Sequence, residues 1–312
     1  MPIARFLRTL LWKTGLYLGS ALGLMALITL ITAKLGATMP GDFCAVILSE
    51  RSSASSLAQC KSQQPDVLER FAYTFRNLAR GSLGTSLVSG QPVLGDILQR
   101  LPQTLILAAL ALLLGLIGGI PLGLWAAYRR GHWLARVINI SAVALLAMPG
   151  FLLVVLLSEL LAGELRIVRR LHDSDDPWSF VLPVLSLGLP IIALIMRVTR
   201  SITLRELARD YVRTARAKGL TAKTILLVHV ARNLAPGLLG LVTILFLELI
   251  DGALLIEAMF SRPGLGNYTA KALSRHDYPA LQGVLLIVTA ITFVVIQSAE
   301  SLRAWLNPVG EE

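Results

Sequence analysis

Long stretches without a charged side chain limit the fold of this chain more than any other feature. A bilayer core about 30 Å thick is crossed by about 20 apolar residues in a helix, and lipid offers no partner to a free backbone amide. The sequence therefore predicts an all-α polytopic membrane protein with six transmembrane helices. The six predicted spans are Thr14–Ala33, Gln103–Tyr128, Val137–Ser158, Trp178–Met196, Leu234–Ile256 and Tyr278–Ala299.

The composition agrees with a membrane protein and excludes several other classes. Hydrophobic residues make up 55% of the chain and charged residues 15%, with a mean hydropathy of +0.69. Soluble chains carry about 45–50% apolar and about 25% charged residues. A single soluble core of this size would have little polar surface to cover it, and a disordered chain, a collagen and a small secreted disulfide scaffold are excluded. The net charge of +10 matters less than where the basic residues lie, and we expect no nucleic-acid partner.

The basic residues predict the orientation in the membrane. The loop 197–232 alone carries more Lys and Arg than the two short loops on the opposite side together. Short cytoplasmic loops are enriched in these residues, whereas loops beyond about 60 residues largely escape the bias. Both termini are therefore expected in the cytoplasm. The apolar stretch Thr14–Ala33 exceeds the roughly 7–15 residues of a signal-peptide core, so we expect an uncleaved helix.

The residues between the first two spans, 34–102, form a predicted extracytoplasmic insertion. It contains both cysteines, Cys44 and Cys60, and the predicted orientation puts them in an oxidising compartment where disulfides persist. One interpretation is a disulfide that closes a short loop. The other is two free thiols, because the sequence gives no geometry.

Three glycines repeat at four-residue spacing in the second span, at Gly115, Gly119 and Gly123. Small residues at this spacing let another helix approach closely. The stripe predicts helix packing, either within the chain or at a dimer contact or gate.

Glu248 and Asp251 lie three residues apart on one face of the fifth span. Charged residues in a membrane are costly and usually face the bundle interior or a water-filled path. They are candidate pathway residues that favour cationic groups. The alternative is that they lie near the outer end and reach water, or pair with a base such as Arg262.

The sequence contains no recognisable catalytic or metal-binding motif. The four histidines (His132, His172, His229 and His276) fall in separate loops, so no metal-ligand cluster is predicted. The sequence has neither the nucleotide-binding pattern G-x-x-x-x-G-K-[ST] nor the metalloprotease pattern H-E-x-x-H. We expect a chain that is not an enzyme and binds no cofactor.

The loop 197–232 is the most informative segment. Its arginines Arg205, Arg209, Arg213 and Arg216 form one stripe beside an apolar face, which predicts an amphipathic helix. Gly219 suits its C-terminal cap, and Thr221 can cap a second short helix. Such a unit can present a rigid element to a soluble partner. A basic face lying on anionic lipid is the alternative.

Several motifs resemble those of one family. The run Asp210–Leu220, followed by His229–Asn233 and Pro236, resembles the cytoplasmic loop of the dipeptide/oligopeptide/nickel family of ABC-importer permeases. The other matching stretches are Gly84–Ser86, Pro92-Val93, Arg100–Thr104, Gly119–Gly123, Glu257–Gly266 and Asp277–Pro279. The resemblance extends from about residue 80 to the C-terminus.

The resemblance implies a type I importer permease fold for 1–312 as a single domain of a prokaryotic inner-membrane protein. It implies a second, similar permease, two ATPase subunits that carry the ATP and Mg, and an extracytoplasmic substrate-binding protein. The substrate would be a peptide or a related small solute such as a nickel chelate or an opine.

The same resemblance implies that the loop contacts the ATPases, through a coupling helix around Ala215–Thr224. The residues that match the family's motif or flank it are Asp210, Arg213, Thr214, Ala215, Gly219 and Leu220. Arg213 stands where the motif has glutamate. Three features depart from the family: the loop Glu159–Pro177 is short, Glu248 and Asp251 stand where small or apolar residues are usual, and the polar stretch Arg51–Gln64 has no counterpart.

Two other classes of function stay open at this point. A channel or secondary transporter that acts alone would show inverted repeats and ion-coupling groups near mid-membrane, but no internal repeat is clear. A membrane-embedded enzyme would need a nucleophile or metal constellation that the sequence does not show.

Overall fold

The computed structural model describes residues 15, 19–20, 23–31, 34, 67–168 and 177–306. Within these residues the chain is almost entirely helical, and an isolated antiparallel bridge joins Thr85 to Pro92. The all-α prediction is confirmed. Cys44 and Cys60 lie outside the described residues, as does the polar stretch 51–64.

The helices are numbered in chain order from residue 67. They are α1 (Val67–Ala79), α2 (Val93–Tyr128), α3 (Trp133–Ala147), α4 (Gly150–Ser158), α5 (Val181–Leu207), α6 (Asp210–Ala217), α7 (Ala222–Thr224), α8 (Ala231–Met259), α9 (Leu265–Ser274) and α10 (Tyr278–Leu306). A π-helical turn follows α4 at Glu159–Glu164, another joins α7 to α8 at Ile225–Val230, and a 3-10 turn at Pro177–Phe180 leads into α5.

Four helices in the described part of the chain are long and apolar enough to cross a membrane. They are Val93–Tyr128, Trp178–Leu207, Gly237–Met259 and Tyr278–Leu302. The pair α3 and α4 passes the same test together and is bent by 108°, which gives up to five spans. The predicted first span lies only partly within the described residues and is helical at 23–31, so the count of six stays a prediction.

The predicted third span, Val137–Ser158, is not one continuous helix. Met148 is extended (φ −80°, ψ 129°) and Pro149 follows it with φ −58° and ψ 134°. The proline ring disfavours helical geometry in the residue before it, and proline has no N–H to continue the ladder. The bend of the span between α3 and α4 therefore has a local cause in the sequence.

The basic stripe of the 197–232 loop is likewise divided between two helices. Helix α5 ends at Leu207, and α6 begins at Asp210 after an extended Arg209 (φ −70°, ψ 152°). The single amphipathic helix predicted across Arg205 and Arg216 is therefore wrong. Burial of Val212 and Ala215 against α8 sets the direction of α6, and helical periodicity alone does not encode that requirement.

The chain divides into two compact units. One contains Met1–Pro102 and Pro263–Ser298, and the other contains Gln103–Arg262 and Ala299–Glu312. In the first unit, Val93, Ile97, Leu265 and Val284 form a buried apolar cluster that joins the start of α2 to α9 and α10.

In the second unit, the glycine stripe of α2 packs against α5. A Cβ on Gly119 would lie 2.9 Å from the carbonyl oxygen of Ile192, and one on Gly123 would lie 2.6 Å from that of Met196. A Cβ on Gly115 would instead meet the side chain of Ile191. The structure therefore places this stripe at a helix contact within the chain, because only glycine lets the two backbones come so close.

Candidate functional site

The 197–232 loop is built on a buried apolar base in the second unit. Val212 and Ala215 of α6 pack with Ile225 and Val230 of the π-helical turn and with Leu234 of α8. Val212 and Val230 are fully buried. Burial of apolar surface contributes about 25 cal/mol per Å², so this base holds α6 firmly against the membrane helices.

Gly219 makes the turn that ends α6. Its φ is +77°, a conformation that costs a residue with a side chain about 1–2 kcal/mol. The Leu220 N–H donates to the Ala215 carbonyl at 3.2 Å, and the Gly219 N–H donates to the Arg216 carbonyl at 3.0 Å. These bonds form a Schellman-type cap, as the sequence predicted for Gly219.

Thr221 begins α7 immediately after this turn. Its hydroxyl oxygen accepts a hydrogen bond from the Thr224 N–H at 3.2 Å, which satisfies one of the amides left free at a helix start. The two caps join α6 to α7 with a defined bend. The implied coupling stretch Ala215–Thr224 is therefore a helix, a turn and a short helix.

The side chains around this bend are exposed, in contrast to its base. We call residues 217–223, together with the side chains of Arg213 and Arg216, the loop tip. Arg213 lies 3.5 Å from Asp210, but their side chains are 80% and 94% exposed. Exposed ion pairs are weak because water screens them. The apolar Leu220 is 38% exposed at the loop tip.

Tyr211 fixes the start of α6 through its hydroxyl group. The hydroxyl donates to Glu206 Oε2 at 3.0 Å, and Glu206 Oε1 lies 3.4 Å from Arg209 Nε. Burial is the main reason that the pKa of Tyr211 lies above its ordinary value of 10.0, and a hydrogen bond with the Asn233 side chain opposes it. The Tyr211 hydroxyl of α6 thus contacts Glu206 at the end of α5 and Asn233 in α8. We call this group the Tyr211 clamp.

Glu248 and Asp251 lie together on an exposed face of α8. Glu248 is midway along the apolar segment Gly237–Met259. Ile244 and Leu255 are exposed on the same face. Neither acidic residue forms an ion pair within the described part of the chain, and Arg262 makes its contacts elsewhere.

Arg262 is a residue whose role sequence reasoning missed. It is 1% exposed, with its guanidinium 3.6 Å from the centroid of the Phe180 ring. It donates to the Ser179 carbonyl at 3.3 Å and to Gln103 Oε1 at 3.4 Å. Burial lowers the pKa of Arg262, while the Glu257 carboxylate opposes that change. The arginine therefore ties together three segments of the second unit.

A second polar group that was missed lies in the first unit. The Asp277 carboxylate, 2% exposed, accepts hydrogen bonds from the Ser86 hydroxyl, from the Leu87 N–H at 3.1 Å and from the Ala280 N–H at 3.3 Å. It caps the start of α10 and holds the segment before α2. We call these four residues the Asp277 network. Ser86 and Asp277 both lie in stretches that resemble the family, but nothing in the sequence predicts that they contact each other.

A related cluster in this unit contains Asp96, Arg100 and Tyr268. Arg100 pairs with Asp96 at 2.7 Å and lies over the Tyr268 ring, 4.6 Å from its centroid. Burial, with the Asp96 carboxylate as the next cause, raises the pKa of Tyr268 to about 12. The four-residue spacing of Asp96 and Arg100 predicts their ion pair, whereas nothing in the sequence predicts the contact with Tyr268.

Among the described residues, no three His, Cys, Asp or Glu side chains lie close enough to hold a metal ion.

Comparison with known proteins identifies the family. The model of the family "Binding-protein-dependent transport system inner membrane component" matches residues 119–309. The chain belongs to this family. The dipeptide transport system permease protein DppB of Haemophilus influenzae is 32% identical to it, over 90% of this chain and 93% of that protein. DppB of Escherichia coli is 31% identical over 97% of this chain and 98% of that protein.

Other relatives and solved structures agree. The probable D,D-dipeptide transport system permease protein DdpB of Escherichia coli is 31% identical, over 90% of this chain and 92% of that protein. A chain of the MetNI methionine ABC transporter, in an inward-facing conformation, matches with a TM-score of 0.57 at 17% identity. That match covers 68% of this chain and 97% of the other. The family resemblance and the type I importer permease fold are therefore confirmed. The chain is a multi-pass membrane permease.

Proposed function

We propose that this permease forms half of the translocation pathway of an ATP-driven peptide importer. A second, similar permease would complete the pathway, two ATPase subunits would drive it, and an extracytoplasmic binding protein would deliver the substrate. The permeases DppB and DdpB, which match at 31–32% identity over at least 90% of this chain, support a dipeptide or a related small solute as substrate.

The loop tip is the proposed contact with the ATPases, and we call 197–232 the coupling loop from here on. The observation that carries this assignment is the contrast between its exposed bend and its buried base. A part that transmits force must be accessible to the motor and rigidly joined to what it moves. The exposed arginines and Leu220 provide the accessible surface, and Val212 and Ala215 provide the rigid joint.

The proposed mechanism needs a different contact at the loop tip in each ATPase state. A conformational change is driven only by as much as the partner's contacts differ between the two states. Closing of the ATPases on ATP would displace the loop tip, and the apolar base would pass the displacement to α8. ATP and Mg would bind to the ATPases, with no cofactor on this chain.

Glu248 and Asp251 are the proposed pathway residues. They lie on an exposed face of the described chain, one of them midway along the apolar segment of α8. Carboxylates at that depth are costly against lipid, so a water-filled pathway shared with a second permease is the favoured surrounding. There they would attract the amino terminus or a basic side chain of a peptide.

Replacement of Gly219 by valine tests the coupling assignment. A β-branched residue is strained at φ +77°, although no atom within 4 Å would obstruct its Cβ. In the complete complex with its binding protein, we expect loss of substrate-stimulated ATP hydrolysis with normal membrane insertion. The matched control is Gly131→Val, because Gly131 also has free space around it without a positive φ. Normal stimulation in the Gly219 variant would refute the assignment.

The charge-neutral double variant Glu248→Gln with Asp251→Asn tests the pathway assignment. We expect uptake of cationic peptides to fall more than uptake of neutral peptides of equal length, since only the former use the carboxylates. The control is Glu164→Gln, an exposed carboxylate in the π-helical turn after α4. Equal loss for both peptide classes would show that the two residues serve stability alone.

A further inference from the structure

An apolar cleft of about 190 Å³ lies between α2, α3 and α5 in the second unit. Ala142, Ala193 and Met196 are buried at its base, whereas Leu122 and Ser141 are exposed. Leu189 and Ile192 of α5 also line it. An engineered cavity of about 150 Å³ with aliphatic walls binds benzene, so this cleft has room for part of a hydrocarbon chain.

The cleft has a basic end. Helices α2 and α5 run parallel, since Gly115 and Gly119 of α2 pack on Ile191 and Ile195 of α5. Helix α3 returns after a short turn. The C-terminal ends of α2 and α5 therefore lie at the same end of the cleft as the start of α3. Arg129 and Arg130 directly follow α2, Arg136 lies in the first turn of α3, and Arg197 and Arg200 lie in the C-terminal half of α5, just after the cleft-lining Met196.

Arg200 is the arginine of α5 that shares a helix face with the cleft-lining residues. It follows Met196 by one helical turn, about 6 Å along the axis, so it lies on the face of α5 that lines the cleft. Its Nε–H group is buried and donates no hydrogen bond to any of the described residues. Arg136, Arg197 and Arg200 form no ion pair in the part of the chain that the structure describes. The sequence from Gln103 to Ser158 contains no acidic residue that could neutralise this end.

We propose that this cleft binds an anionic phospholipid. One acyl chain would lie along the apolar walls, and the phosphate would contact Arg200 and Arg129 at the basic end. Basic pockets between membrane helices bind anionic headgroups, and arginine extends its charged group towards the headgroup region while its stem packs on apolar surface. The charge selects the headgroup, and the apolar walls select a lipid over a free anion. This site is separate from the loop tip and from the acidic face of α8.

Native mass spectrometry of the complete complex tests the proposal. The complex is exchanged into detergent with equal amounts of phosphatidylglycerol and phosphatidylcholine that carry identical acyl chains. We expect preferential retention of phosphatidylglycerol by the wild type. The double variant Arg129→Gln with Arg200→Gln should lose the preference, and Ser141→Trp should lose retention of both lipids because the indole fills the cleft.

Two matched controls separate the cleft from general effects. Ile140→Trp adds a similar ring on an exposed face of α3 away from the cleft, and Arg166→Gln removes an exposed arginine beyond α4. Both should retain phosphatidylglycerol as the wild type does. If Ser141→Trp does not fold, phosphatidylglycerol with a photoreactive acyl chain should label peptides 138–145 and 189–196 of the wild type.

Three lipid-binding results would each overturn the proposal. They are equal retention of the two lipids by the wild type, unchanged retention in the Ser141 variant, and photolabelling confined to other segments. Loss of the second permease from the Ser141 variant would instead show that a protein helix covers the cleft, which also overturns it. The test measures lipid binding and not uptake. A negative result would therefore not bear on the proposed transport function.

Discussion

The Asp277 network and the loop tip differ in how their polar groups are satisfied. Asp277 is buried and accepts three hydrogen bonds from its own chain. At the loop tip, Arg213 has a single weak, exposed pair with Asp210. A buried charge must be paired or hydrogen-bonded internally, whereas an exposed one is available to a partner. The Asp277 network therefore serves the fold of its unit, whereas the exposed loop tip has the surface that its proposed contact with the ATPases requires.

The largest expected effect is the loss of stability in Asp277→Ala. The substitution leaves the Ser86 hydroxyl and two backbone N–H groups without their acceptor and removes the cap of α10. We expect a loss of about 3 kcal/mol, measured as a lower apparent Tm of the chain in detergent. The same chemical change at an exposed position, Asp210→Ala, is the control and should leave the Tm nearly unchanged. Equal shifts in both variants would break the comparison.

A smaller effect is expected for the Tyr211 clamp. Tyr211→Phe removes only the hydroxyl that joins α6 to Glu206, a bond that contributes about 1 kcal/mol. We expect fewer peptides transported per ATP hydrolysed, with the complex intact, because α5 and α8 would follow the movement of α6 less closely.

Tyr268→Phe is the matched control for the clamp. Its hydroxyl lies 3.4 Å from Asp96 Oδ2, in the unit that does not contain the coupling loop. This variant should keep the transport ratio of the wild type. A lower ratio in both variants would show that the measurement reports stability and not coupling.

The smallest effect on stability is expected for Arg213→Ala, because its ion pair is exposed and screened. The Tm should stay as in the wild type, while the affinity for the ATPases should fall more at low than at high salt. Arg100→Ala is the matched comparison for Arg213→Ala, because Arg100 pairs with the mostly buried Asp96 and lies over the Tyr268 ring. That variant should lower the Tm without changing the salt dependence of ATPase binding. A loss of ATPase affinity of the same size at low and at high salt would contradict an electrostatic role for Arg213.

Local chemistry explains which features could be predicted from the sequence. Apolar length predicts helices, since a membrane permits few other structures. Gly219 and Thr221 predict their caps because each motif depends on one residue and its near neighbours. The bend at Pro149 also has a local signal, but the length of the apolar run 137–158 by itself predicts one continuous helix.

The sequence by itself determined the class of fold, the family and the exposed turn at Gly219, since these depend on composition and on contacts within a few residues. Only the tertiary structure decided that the glycine stripe packs on α5, that Arg262 contacts Ser179, Gln103 and Phe180, and that Ser86 meets Asp277. Ser86 and Asp277 are 191 positions apart in the chain. Nothing in the local pattern of either residue specifies the other, because a buried polar group takes whichever partner the packing of the helices brings to it.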